Sequence, residues 1–380
     1  MFDFLNKELL VLRENEKFDF VTFRVFDTCA HHHDITYSAD YFPEGFLQHG
    51  TVAVLQDIGY AKHTDNTNVY LKPDLKTFFP DFSGNSIIIH CNVVVKMNDS
   101  GELYKNVVHD PRYIAQRADE YLRDIIKIDE IAFLVEIDFY AHIEDALKDE
   151  FYNMIKIHFK KSNIQLVSYI DSDFNKKSLG IFSFGILDTA DTIEKAIYLI
   201  KKISSYQQID VIFEDEQKKP ARIVINHILY QNKKSIFKLN NFFSPSRLVH
   251  RYVGGIFSNY VQLIDLSTVG ERNLEKLTKI KFSYAEEVMA FKKNCKLFAS
   301  DIYISLSFAN LNMNYYLMLT SLMMHGLNGV YEKIDLENLD IMQNNFILEQ
   351  KSETDAKQER SNGLINNIIE EEVIELYRKI

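Results

Sequence analysis

Two acids spaced two residues apart, Glu136 and Asp138, interrupt the apolar run IAFLVEIDFY at 131–140. Its β-branched and aromatic content predicts a strand, and side chains on a strand alternate between faces. Both carboxylates therefore point one way while Ile137 and Phe139 point the other. Such a pair can hold a hard divalent cation, which wants roughly six oxygen ligands; the plainer reading is a polar sheet edge. A working metal site would need further acids from neighbouring strands.

Other conspicuous residues point to ordinary structure. The run His31-His32-His33 alternates faces on an extended segment, so its imidazoles do not converge on one ion, and a solvated hairpin turn is expected. Glu214, Asp215 and Glu216 are followed by Lys218 and Lys219 and read as a solvated loop. Cys29, Cys91 and Cys295 match neither a zinc motif nor a disulfide framework and are expected to be buried thiols. The methionines and tyrosines of 313–324 fall at helical spacing, as in a core helix.

The elements that must position these residues fall into two groups. Strands are predicted at 18–26, 34–38, 51–60, 68–74 and 86–97, which makes the first hundred residues a small, mostly β domain. After residue 105 the pattern changes: Asp110 suits a helix cap, Pro111 its first turn, and Ile114, Ala118, Tyr121 and Leu122 follow with helical spacing. Further helices are predicted at 190–205, 245–265, capped by Ser244, and 313–329; a helix near DALKDEFYNM follows the acidic strand. Strands fit at 131–140, 164–171, 179–187, 221–230 and 301–308. The fold class expected is α+β, with domains over 1–105 and 106–380. The second ends in a tail helix at about 350–380, with Ile365, Ile368, Ile369, Ile374 and Tyr377 along one face.

With 380 residues, 46% of them hydrophobic, the chain can bury a large core. A net charge of -11 and the lack of a basic stripe argue against nucleic acid as a partner. No apolar run approaches the roughly 20 residues of a membrane span, and MFDFLNKELLVLREN lacks the pattern of a signal peptide. A cytoplasmic protein is expected.

The segment DPRYIAQRADEYL at 110–122, followed by Glu136-Ile137-Asp138-Phe139-Tyr140, resembles the motif and E-x-E-F-F strand that open the catalytic domain of the glutamine synthetase family. NVYLKPD (68–74) and IIIHCNVV (87–94) resemble the strands ending that family's N-terminal β-grasp domain. LDTAD (187–191), RYVGGIFSNY (251–260) and NYYLMLTSLMMHGLNGV (314–330) resemble later landmarks in the same order. The resemblance implies a β-grasp domain followed by a curved antiparallel sheet flanked by helices. It also implies a reaction in which ATP, with Mg or Mn, activates glutamate for ammonia, and assembly into a ring.

Placed on that family pattern, most of the machinery is missing. Asp138 is one methylene shorter than the family acid. The next family glutamate falls near Ser178, the metal histidine becomes Val224 with Asn226 as its companion, and a glutamate and an arginine become Ser305 and Ser307. KKPA replaces a glycine loop, Glu271 and Lys276 are the nearest charged equivalents of the loop that closes over ammonium, and an arginine-rich stretch has no counterpart. Loss of so many charges removes the electrostatic stabilisation on which phosphoryl transfer relies. The expectation is a non-catalytic oligomer without cofactor, partnering itself or a true synthetase. The alternatives are an ATP-dependent ligase of altered specificity using Mg or Mn at Glu136, Asp138 and Asp171 or Asp173, and a sensor whose emptied cavity binds a small molecule.

Overall fold

A single 11-residue strand, Ser86–Lys96, organises the N-terminal part of the chain. The computed structural model describes residues 18–27, 31–41, 50–54, 68–97, 104–172, 175–213, 221–237, 246–267, 281–284, 303–308, 311, 313–335, 346–347 and 363–369. It divides into two compact units, Met1–Tyr113 with Lys161–Asn163, and Ile114–Lys160 with Ile164–Ile380.

The first unit holds β1 (Phe20–Phe26), β2 (His32–Ser38), β3 (Thr51–Val54), β4 (Asn68–Pro73), β5 (Phe79–Pro80), β6 (Ser86–Lys96) and β7 (Tyr104–Asn106). They form a mixed sheet in the order β2-β1-β6-β4-β3, with β5 and β7 also on β6. The first half of β6 runs parallel to β1, and Cys91–Val94 run antiparallel to β4. β6 is almost continuously apolar because both its faces are buried. The Cys91 thiol is buried there, and desolvation pushes its pKa up, as a structural thiol requires. The histidine run lies at the β1–β2 hairpin: His32 and His33 belong to β2, and His33 Nε2 meets Asp27 Oδ2 at 2.9 Å. Cys29 and Cys295 lie outside the described residues.

Helix α1 (Pro111–Tyr121) starts at the expected proline. Asp110 accepts from Arg112 N at 3.0 Å and from Val93 N at 2.8 Å, so it caps the helix and ties it to β6. Burial pushes its pKa up to about 6.

The second unit is a nine-stranded sheet built from β8 (Glu130–Ala141), β9 (Gln165–Asp171), β10 (Lys176–Phe184), β11 (Val211–Ile212), β12 (Ile223–Gln231), β13 (Lys234–Ser235), β14 (Lys281–Tyr284), β15 (Ile304–Phe308) and β16 (Phe346–Ile347). The order is β16-β14-β15-β12-β8-β10-β9, with β11 on β8 and β13 on β12, and every pair is antiparallel. Its helices are α2 (Asp145–Lys161), α3 (Ile186–Tyr206), α4 (Arg247–Ser258), α5 (Tyr260–Ser267) and α6 (Tyr315–Tyr331). Mixed and antiparallel sheets with helices make the chain α+β.

One sheet face is lined with helices. Phe139 of β8 meets Phe151 of α2, and His227 of β12 bonds Tyr252 of α4 at 3.0 Å. Helices α4 and α6 cross in direct backbone contact, because Gly255 faces Gly329 and Tyr252 lies over Gly326. Two helix boundaries differ from the sequence reading. The segment expected as one helix over 245–265 breaks at Asn259, whose side chain donates to Gly255 O at 2.9 Å, and α4 is capped by Ser246, which accepts from Val249 N. Ser244 lies outside the described residues. The tail forms a 3-10 turn at Gly363–Asn367 that adjoins α6; Ile365 within it and Ile368 and Ile369 just after it are buried, and Ile374 and Tyr377 lie outside the described residues. Among the described residues, no helix is long and apolar enough to cross a membrane.

Candidate functional site

The register gathers the predicted positions into one patch. Directly paired residues of antiparallel strands share a face. Glu136 is paired with Gly180 of β10 and Val224 of β12, and Val224 with Ser307 of β15. Asp138 is paired with Ser178, and Asn226 with Leu134 and Ser305. Glu136, Asp138, Ser178, Val224, Asn226, Ser305 and Ser307 therefore lie together on the face opposite α2 and α4. An apolar cluster of Ala132, Leu134, Phe182, Ile228, Tyr230 and Tyr303 fills the neighbouring part of that face.

Asp171 does not join them. It is paired with Lys177, which is paired in turn with Phe139, so it belongs to the helix-lined face. There it forms ion pairs with the buried Lys177 and, at 3.7 Å, with Lys148. The expectation that Asp171 could complete the set fails because a strand reverses its side chains at every residue. Asp173, Glu271 and Lys276, and the acidic run at 214–216, lie outside the described residues. His227 takes the helix-lined face, as its offset by one residue implies, and burial lowers its pKa to about 3.

Each acid of the pair is already engaged. The side chain of Asp138 is 5% exposed, and its Oδ2 lies 2.7 Å from Lys176 Nζ and 3.3 Å from Arg222 Nε. Glu136 accepts a 3.0 Å hydrogen bond from Asn226 Nδ2, which also donates to Leu134 O at 3.0 Å. Burial pushes the Glu136 pKa up to about 7, opposed by the Asn226 bond and reinforced by the charge of Asp138.

Lys176 and Arg222 went unnoticed in the sequence. The signal for Lys176 is its position two residues before Ser178, hence on the same face; Arg222 directly precedes β12, two residues before Val224.

The divalent ion implied by the resemblance does not fit this patch. Lys176 and Arg222 hold one oxygen of Asp138 and Asn226 holds one of Glu136, so the pair presents two cations, not free carboxylate oxygens, to an incoming dication. Val224, between Glu136 and Ser307 on this face, offers no lone pair. Among the described residues, no group of three His, Cys, Asp or Glu side chains is arranged to hold a metal.

No family model matches the chain. It is 22% identical to the glutamine synthetase of Rhodobacter capsulatus over 392 residues, covering 87% of each chain. A shorter match, 30% identical over 118 residues, joins it to the glutamine synthetase of Cereibacter sphaeroides, spanning 30% of this chain and 24% of that protein. The cryo-EM structure of Plasmodium falciparum glutamine synthetase superposes with a TM-score of 0.73 at 15% identity, covering 98% of this chain and 94% of that one. The chain is thus similar to glutamine synthetases in sequence and shares their fold. The local match to the Cereibacter protein spans about a quarter of that relative's length, whereas the fold likeness runs nearly end to end. On the sheet of this shared fold, Lys176, Arg222 and Asn226 are bonded to the acidic pair.

Proposed function

We propose that this glutamine synthetase-like chain has lost glutamate–ammonia ligase activity and acts as a non-catalytic structural or regulatory protein, through its surfaces and as an oligomer. The observation that carries this reading is the Asp138 carboxylate bound by Lys176 and Arg222 on a face where Ser178, Val224, Ser305 and Ser307 stand at the family's charged or ligating positions. Phosphoryl transfer draws its rate from preorganised charge aimed at the substrate, and the two cations of this face are spent on Asp138. On this reading the chain uses neither ATP nor a metal cofactor, and its partner is a second copy or a true synthetase. The family likeness and the absence of a membrane-length helix among the described residues support a cytoplasmic location. The parallel β1–β6 pair at the centre of a mixed sheet supports the β-grasp reading of residues 1–105, followed by a catalytic-type domain over 106–380.

A second reading, an ATP-dependent carboxylate–amine ligase with one Mg or Mn ion, is favoured by the retention of Glu136 and Asp138 on one face beside three serines. One experiment separates the two. ATP turnover by the purified chain with glutamate, ammonia or other amines, in Mg or Mn, should stay at background while the native mass exceeds that of a monomer. Turnover abolished by Glu136→Ala would establish the ligase, and a lone monomer that captures no synthetase would remove the surface-acting role.

A further inference from the structure

We propose that Lys176 and Arg222 are tethered cations that replace a divalent metal ion at the Glu136–Asp138 pair, so that this face is charge-balanced without metal and closed to it. The inference rests on the non-catalytic reading and names the device that underlies it.

The placement is specific. β10 and β12 are the two neighbours of β8; β10 itself and the residue just before β12 each deliver one cation to the same carboxylate oxygen. Lys176 sits opposite Tyr140, two residues from Ser178, and its Nζ reaches diagonally back to Asp138 Oδ2 at 2.7 Å. Arg222 accepts the backbone hydrogen bond of Asp138 N at 2.8 Å, which sets it beside Asp138 on the other flank, and its Nε lies 3.3 Å from the same oxygen. Asp138 is thus clamped from both sides while almost fully buried, where a carboxylate without partners would be strongly unfavourable.

The charges on the patch also close. Once Glu136 is ionised, above its pKa of about 7, two acids stand against two bases; below it, the two cations outnumber the single charge of Asp138 and oppose a dication more strongly. A dication entering here would have to displace both cations from Asp138 Oδ2 or sit against them, and like charges at such distances oppose its binding. The side chains that displace metal are covalently part of the sheet, so their local concentration exceeds that of any free ion.

Removal of the tethered charges should therefore uncover a metal site. In the full-length chain, Lys176→Met with Arg222→Met is expected to lower the thermal midpoint without metal. Mn2+ is expected to restore part of that loss, and the restoration should vanish when Asp138→Asn is added, because stabilisation by a ligand requires its site in the folded state. The wild-type chain should show no Mn2+-dependent shift that Asp138→Asn abolishes. A wild-type Mn2+ response lost in Asp138→Asn, or a folded double variant indifferent to Mn2+, overturns the proposal. If the double variant does not fold, Lys176→Gln alone is titrated with Mn2+ and read against the wild type by the same two criteria. ATP turnover without metal dependence would sink the functional reading and leave this one standing.

Discussion

Asn226 Nδ2 donates to Glu136 Oε1 at 3.0 Å across the β8–β12 pair, and the accepting carboxyl titrates near neutrality. Because burial raises its pKa from 4.5 to about 7, the folded chain binds more protons here than the unfolded chain between those values. Stability therefore falls as pH rises through that window. His227 and His325, both lowered to about 3 by burial, act in the opposite direction, since their buried neutral form loses stability as pH falls below 6.5. The contribution of Glu136 is isolated by comparison with Glu136→Gln. The variant is expected to match the wild type near pH 4.5 and to exceed it at pH 8 by an amount on the order of 3 kcal/mol. Urea unfolding at both pH values measures this, and a gap independent of pH would remove the argument.

Asp119 provides a second buried carboxylate with a defined task. Its two oxygens accept from Ile186 N at 2.8 Å and Leu187 N at 2.9 Å, so a residue of α1 caps the N-terminus of α3. Burial pushes its pKa up to about 6. Asp119→Ala leaves both amides without their acceptor and should cost about 1–3 kcal/mol. Asp119→Asn keeps an acceptor and should lose less. Hydrogen exchange at Ile186 and Leu187 is the direct readout, and unchanged protection in the alanine variant would contradict the cap.

The contrast between these residues shows what can be read along a chain. The strand predicted at 131–140 appears as Glu130–Ala141 and the helix predicted at 190–205 as Ile186–Tyr206, because apolar spacing is a local property. The placement of Glu136, Asp138, Val224 and Asn226 on one face followed from alternation plus the family resemblance. Asp171 misled because its face depends on the register, and a shift of one residue exchanges the faces. Lys176 and Arg222 act across strands, and Asp119 acts on an amide 67 residues away, so neither partnership leaves a periodic trace.

Gly255 and Gly329 set how closely α4 and α6 approach. A Cβ built on either would fall inside the backbone of the opposite helix, so no rotamer change can make room. Gly255→Ala and Gly329→Ala should each destabilise the chain by about 1–3 kcal/mol, the usual range for overpacking. As the two positions meet, the double variant should cost less than the sum of the singles. Additive losses in equilibrium unfolding would show that the helices are not held at this crossing.

The tail turn at Gly363–Asn367 tests how far stability depends on a remote segment. Ile365, Ile368 and Ile369 are each no more than 2% exposed, and Leu364 N donates to Asn328 Oδ1 on α6 at 3.2 Å. Arg117 of α1 donates to Asn367 O at 3.2 Å, and Asn367 Nδ2 to Tyr121 Oη at 3.1 Å, so the turn is bonded to both helices. Three buried isoleucines give the turn far more apolar anchorage than its exposed polar bonds provide. Ile365→Ala or Ile368→Ala should therefore cost about 2–4 kcal/mol, whereas Asn367→Ala should cost under about 1 kcal/mol. If the turn docks as one piece with α6, the isoleucine variants will also lower hydrogen-exchange protection along Tyr315–Tyr331. Loss confined to the tail would mean that α6 is stable without it, and the segment would then be a peripheral addition to the sheet-and-helix unit.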